Sequence, residues 1–246
     1  MPSSTTYTTC ARCSFASFCL MAEKKKNQRV SHENLTIKQH RRLKRAEALF
    51  LPNNKFQHLY IIQQGALKTY RVEADGREVI RGFYFAGEML GYEAIYTGHH
   101  VFSAVSLAET IVCEIPYEDF LELLNTKPTL QKQILHLMSQ QLTMGSYLVS
   151  TTAEQRLAAF LIDVAARLYP FEVTLELTLP MSRQDIGNYL RLTAETVSRL
   201  FSRLQKNKLI SVKHKKIYFL QPEELKKIAD GLSFTCLKSN DVIHSV

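Results

Sequence analysis

Apolar residues recur in two different rhythms along this 246-residue chain, and the change of rhythm divides it. Between His58 and Glu114 they gather in short runs, Leu59–Ile62, Ala66–Val72, Glu78–Phe85 and Thr110–Ile115. Turn signals separate these runs: Gln63-Gln64-Gly65, Ala74-Asp75-Gly76, Ala86-Gly87-Glu88 and Thr97-Gly98. Several short strands at this spacing predict an antiparallel roll or barrel. After Pro116 the spacing becomes helical. Pro128 can open a helix in which Leu130, Ile134, Leu137, Gln141, Met144 and Leu148 follow one another at alternating intervals of four and three. That stripe fits a coiled-coil seam with one polar member, and it fits a core helix equally. A further helix is expected from about Ala153 to Leu168, ending before Pro170. From about Thr174 onward the pattern is helix, turn, helix and basic hairpin.

The flanks are less apolar. Residues 1 to about 30 lack the large apolar side chains of an independent core and read as a tail. Ser31 to Leu49 is basic and weakly amphipathic, which predicts a short helix. The expected organisation is therefore α+β: tail 1–30, an antiparallel β-roll over 31–126, a long helix over 127–152, and a winged helix-turn-helix over 153–246. No internal repeat or low-complexity tract interrupts it.

Hydrophobic residues make up 46% of the chain, enough to build a core, yet no apolar run approaches the ~18 residues that would cross a bilayer. Met1 to Thr9 also lacks the charged-then-apolar order of a signal peptide, so a cytoplasmic location is expected. Five cysteines in that reducing compartment point to a metal, a cluster or incidental thiols more than to structural disulfides. The net charge of +8 makes an anionic partner plausible. Its distribution says more. Lys24 to Arg45 forms one basic block, which an ordinary solvated face would also explain. A second block runs from Arg183 to Lys216, where charge coincides with a motif.

Within Met181 to Leu209, Ser182 can cap a first helix with Asp185 as its capping-box partner, and Thr193 can cap a second. Val197, Leu200 and Leu204 of the second helix would pack inward, leaving Glu195, Ser198, Arg199 and Arg203 on the opposite face. Such side chains suit a recognition helix in the major groove: Arg pairs with guanine O6 and N7, Glu accepts from a cytosine amino group, and Ser bonds either a base edge or a phosphate. An i,i+4 ion pair between Glu195 and Arg199 is the bland alternative. The following Lys206, Lys208, Lys213, Lys215 and Lys216 favour DNA, since a basic wing supplies phosphate contacts.

Cys10, Cys13 and Cys19, spaced by two and five residues, could wrap a soft metal centre. Three thiolates are an incomplete set, and Cys113 and Cys236 are the candidates for a fourth. By chemistry alone a cluster, zinc and reactive or incidental thiols all remain open.

The run Asp185-Ile186-Gly187-Asn188-Tyr189-Leu190, followed by Leu192-Thr193-Ala194-Glu195-Thr196-Val197-Ser198-Arg199-Leu200, resembles the helix-turn-helix of the CRP/FNR family, and specifically its FNR branch. Gly65-Ala66-Leu67-Lys68, Gly87-Glu88-Met89-Leu90-Gly91, Gly98-His99-His100 and Val112-Cys113-Glu114-Ile115-Pro116 extend the resemblance from Cys10 to about Leu220. It implies a cyclic-nucleotide-binding-like roll as sensor and a homodimer formed by the long helix. It also implies an oxygen-labile [4Fe-4S] cluster on Cys10, Cys13, Cys19 and Cys113, with Cys236 incidental. Glu195, Ser198 and Arg199 would read TTGAT half-sites of a palindromic operator, and RNA polymerase would be a partner. Three features depart from the family pattern: Arg191 at the helix-turn-helix corner, the basic stretch Lys24 to Arg29, and the absence of any acidic residue between Glu122 and Glu154. The last removes like-charge repulsion from the seam.

Rival functions are weaker on the residues. A zinc-stabilised DNA-binding regulator would use the same cysteines. A cyclic-nucleotide pocket of this family pairs a Gly-Glu run with an Arg-Ser dipeptide, whereas this chain reads Val101-Phe102-Ser103-Ala104, without the charge a phosphate needs. An enzyme would need an open metal position or a nucleophile beside a base, and nothing completes such a set around His99 and His100.

Overall fold

A computed structural model describes residues 39–144, 152–169 and 175–229. The chain forms two compact units, Met1–Ile134 and Leu135–Val246.

The described residues of the first unit hold eight strands: β1 (Gln39–Leu43), β2 (Ala48–Phe50), β3 (His58–Gln64), β4 (Ala66–Val72), β5 (Glu78–Phe85), β6 (Met89–Leu90), β7 (Ser103–Ser106) and β8 (Thr110–Pro116). They pair antiparallel in two four-stranded sheets of order β1-β8-β3-β6 and β2-β7-β4-β5. Leu43, Tyr60, Ile62, Leu90 and Val112 from the first sheet meet Leu49, Phe50, Leu67 and Ala104 from the second in one buried cluster. This is the expected roll. Because side chains alternate across a strand, Leu59, Ile61, Cys113 and Ile115 occupy the other face of the first sheet, and they too are buried. That double burial is why β3 and β8 read as near-continuous apolar runs.

The basic stretch before the roll departs from the helix expected over Ser31 to Leu49. Its described part forms β1, paired with β8, and β2, paired with β7. Leu43, Leu49 and Phe50 each supply core contacts through that pairing, and a weak helical pattern has no comparable apolar face to bury. Helix α1 (Tyr117–Thr126) packs against β8 and buries Phe120 and Leu123. Helix α2 (Pro128–Met144) follows, with Pro at its first position.

In the second unit, α3 (Ala153–Leu168) starts on a capping box between Thr152 and Gln155. Then come β9 (Glu176–Thr178), α4 (Arg183–Leu190), α5 (Ala194–Lys206), β10 (Ile210–Lys213), β11 (Lys216–Phe219) and α6 (Pro222–Ala229). The sheet has the order β10-β11-β9, so the predicted hairpin gains a third strand. Helix α3 packs against α4, α5 and α6, and its residues Leu157, Phe160, Leu161 and Val164 are buried.

Candidate nucleic-acid interface and metal centre

The helix-turn-helix is fixed by caps at each joint. Ser182 Oγ accepts the Asp185 N–H at 3.0 Å, and the Asp185 carboxylate accepts the Ser182 N–H at 2.9 Å, closing the capping box. At the other end of α4, Arg191 adopts φ 56°, ψ 46°, and the Leu192 N–H donates to the Gly187 carbonyl at 2.8 Å. Gly187 is required by this close approach: a Cβ there would lie 2.7 Å from the Leu192 carbonyl oxygen. Thr193 Oγ1 then caps α5 by accepting the Thr196 N–H at 3.1 Å. Arg156 of α3 donates to the Leu190 carbonyl at 2.7 Å, satisfying an end of α4 that would otherwise lack a partner.

Helix α5 turns Val197, Phe201 and Leu204 inward. Phe201, not Leu200, is the fully buried middle contact, and Leu200 is half-buried. The guanidinium of Arg183 stacks on the Phe201 ring at 3.2 Å, and burial pushes it down to about 10, which still leaves it charged near neutral pH. The outward face carries Glu195, Ser198, Arg199 and Arg203, all exposed as the periodicity predicts. Arg199 donates to Glu195 at 2.6 Å, while Arg203 reaches Glu154 at the start of α3 at 3.5 Å. Ser202, exposed one turn beyond Ser198, shares this face, as its i+4 spacing could have indicated.

The wing turns through His214-Lys215, leaving Lys213, Lys215 and Lys216 exposed around its tip. Lys216 donates to Glu176 of β9 at 2.6 Å, and this carboxylate raises its pKa above the ordinary lysine value. Lys213 lies 5.9 Å from the centre of the Tyr218 ring. Positive charge on this surface is thus partly held by neighbours and partly free to meet an anion.

Of the four candidate metal ligands, Cys10, Cys13 and Cys19 lie outside the described residues, as do Cys236 and the stretch Lys24 to Arg29. Cys113 is 5% exposed on β8. It stands in register with Ile61 on one side and His40 on the other, on the face turned away from the buried cluster of the roll. The described chain begins at β1, the strand beside Cys113, and the segment bearing the other three thiols precedes it in sequence. A buried thiol on that face, with residues 20–39 able to span up to ~65 Å, suits one corner of a four-thiolate set.

Along the candidate dimer seam, Leu130 and Ile134 are buried within the single chain, Leu137 is half-buried and Leu135 is 68% exposed. Gln141 and Met144 lie on α2, and Leu148 lies outside the described residues. Surface for a partner on α2 therefore begins at Leu135 and Leu137. In the roll, the Glu88 carboxylate accepts the Phe85 N–H at 3.0 Å, and no arginine stands between Val101 and Ala104. His100 is a core histidine: its Nδ1 lies 2.9 Å from Glu93 Oε1, and its ring stacks on Phe50 at 3.7 Å. Among the described residues, no group of three His, Cys, Asp or Glu side chains could hold a metal, and no helix is long and apolar enough to cross a membrane.

The sequence matches the cyclic nucleotide-binding domain over residues 40–127 and the Crp-like helix-turn-helix domain over 155–228. It is 37% identical over 228 residues to the transcriptional activator protein Anr of Pseudomonas protegens, covering 90% of this chain and 93% of that protein. It is 35% identical over 225 residues to the fumarate and nitrate reduction regulatory protein of Escherichia coli K12, covering 89% and 90%. Among solved structures, FixK2 from Bradyrhizobium japonicum superimposes with a TM-score of 0.70 at 26% identity, over 77% of this chain and 96% of that one.

Proposed function

The chain belongs to the CRP/FNR family, within the group of Anr and the fumarate and nitrate reduction regulators, and from that membership we propose that it is an oxygen-responsive regulator carrying a [4Fe-4S] cluster. It is a DNA-binding transcription regulator and not an enzyme.

The observation that carries the sensing part is the place of Cys113: buried on β8, directly across from His40 of β1, the strand that the cysteine-bearing segment precedes in sequence. Cys10, Cys13 and Cys19 provide three thiolates on one short segment, and Cys113 anchors the fourth to the roll. When bound, such a cluster supplies an oxygen-sensitive link between tail and roll. The apolar side chains of Ile61 and Ile115 on the same face keep water from Cys113.

On the output side, Glu195, Ser198 and Arg199 read a TTGAT-type half-site from the exposed face of α5, while Arg203, Lys213, Lys215 and Lys216 meet the backbone. Two half-sites require two copies, joined along α2 through Leu137, Gln141 and Met144 and beyond it through Leu148, with Leu130 and Ile134 holding the start of the helix to its own chain. RNA polymerase is the further partner and the cytoplasm the location. The test is purification without air. Brown protein containing iron and sulfide in equal amounts, which loses tight operator binding on exposure to air, supports the reading. Colourless protein that contains zinc and binds equally in both conditions contradicts it.

A further inference from the structure

The corner of the helix-turn-helix carries a charge that the fold does not use. Arg191 caps α4 in the left-handed region, at φ 56°, a conformation that glycine adopts freely and an arginine does not. Its backbone does all the corner needs, donating its N–H to the Gly187 carbonyl. The side chain is exposed, and among the described residues it has no hydrogen bond, ion pair or ring contact. Its neighbours differ: Arg183 lies on Phe201, Arg199 on Glu195, Arg203 beside Glu154 and Lys216 on Glu176.

The pattern repeats in this unit. Among the described residues of this unit, the non-glycine residues with positive φ are Arg191, Lys208 and His214, all exposed and all of basic type, at the corner, after α5 and at the wing tip. Glycine or asparagine would satisfy each turn. The position of Arg191 sets it apart, because it lies two residues before the Thr193 cap, at the end of α5 where Glu195 and Arg199 begin the outward face. A helix lying in the major groove presents that end to the DNA, with the flanking phosphates beside it.

We propose that Arg191 is a DNA-binding residue of this protein, an added clamp on a backbone phosphate at the mouth of the recognition helix. The proposal rests on the DNA-binding reading but on no base-reading role. A phosphate contact carries no sequence information, so Arg191 raises affinity for operator and random duplex alike and adds one to the counterions released on binding.

The test uses full-length protein purified without air and three forms: wild type, Arg191→Gly and Arg191→Lys. The glycine variant suits the corner, so lost binding cannot be ascribed to a broken turn, and thermal unfolding should show it at least as stable as wild type. Affinities for a duplex with inverted TTGAT half-sites and for a random duplex are measured across salt. Arg191→Gly should weaken both, and the slope of log affinity against log salt should fall by about 0.9 for each subunit engaged. For one engaged subunit, the wild-type advantage should shrink about 3.5-fold between roughly 50 and 200 mM salt. Arg191→Lys should keep the slope. An unchanged slope and affinity in Arg191→Gly on the random duplex overturns the clamp. Random duplex tests it even where the TTGAT assignment fails, so the two failures are distinguishable.

Discussion

Glu195 and Arg199 sit 2.6 Å apart with both side chains more than two-thirds exposed, so their ion pair adds only about 0.2–1 kcal/mol to stability. Substituting Arg199 should therefore leave the fold intact and act on binding. We expect Arg199→Ala to lose roughly 1–3 kcal/mol on the TTGAT duplex and far less on random DNA. Lys215→Ala should weaken both equally. Equal losses for Arg199→Ala in a paired titration would remove its base-reading role. Gly187 makes the opposite kind of prediction. Its missing Cβ allows the corner to close on the Leu192 carbonyl, and the three nearest atoms, from Leu192, Thr193 and Ala194, are all backbone, with no flexible side-chain end that could move aside. Gly187→Ala should destabilise the DNA-binding unit by about 1–3 kcal/mol, visible as a lower urea midpoint. A midpoint equal to wild type would mean that the corner opens at no cost.

Among the elements, α2 carries the most specific expectation. No carboxylate lies between Glu122 and Glu154, so no pair of like-charged carboxylates keeps two copies of this helix apart. Protein stripped of its cluster should still dimerise measurably, and Gln141→Asp should make it monomeric in air while leaving the anaerobic dimer, since paired like charges oppose the interface. Sedimentation of both forms, with and without air, decides this; a wild type wholly monomeric in air contradicts it. The elements also show what the sequence could convey. The limits of α3 and the caps of α4 and α5 were legible, because Thr152, Ser182, Thr193 and Pro170 act locally. β1, β2 and β9 were not. Their pairing partners β8, β7 and β11 lie far along the chain, and basic Gln39–Leu43 becomes a strand only by docking there. α6 did leave a signal that went unread: Pro222 at its start, Glu223 and Glu224 in the first turn, and Lys226 and Lys227 in the last.

Across the whole molecule, the proposed sensing thiol Cys113 and the helix-turn-helix lie in different units, and the two were legible to different degrees. The recognition face could be read from α5 alone, where helical spacing sorts Val197 and Leu204 from Glu195 and Arg199. The neighbours of Cys113 could not, because only the register of β8 with β1 brings His40 beside it. That register underlies the proposed four-thiolate site of Cys113 and the three cysteines that precede β1 in sequence. Iron and sulfide content of anaerobically purified single variants tests it most directly. Cys10→Ser, Cys13→Ser, Cys19→Ser and Cys113→Ser should each lose the cluster, while Cys236→Ser should retain the wild-type content. Full iron and sulfide in Cys113→Ser, or their loss in Cys236→Ser, would contradict it.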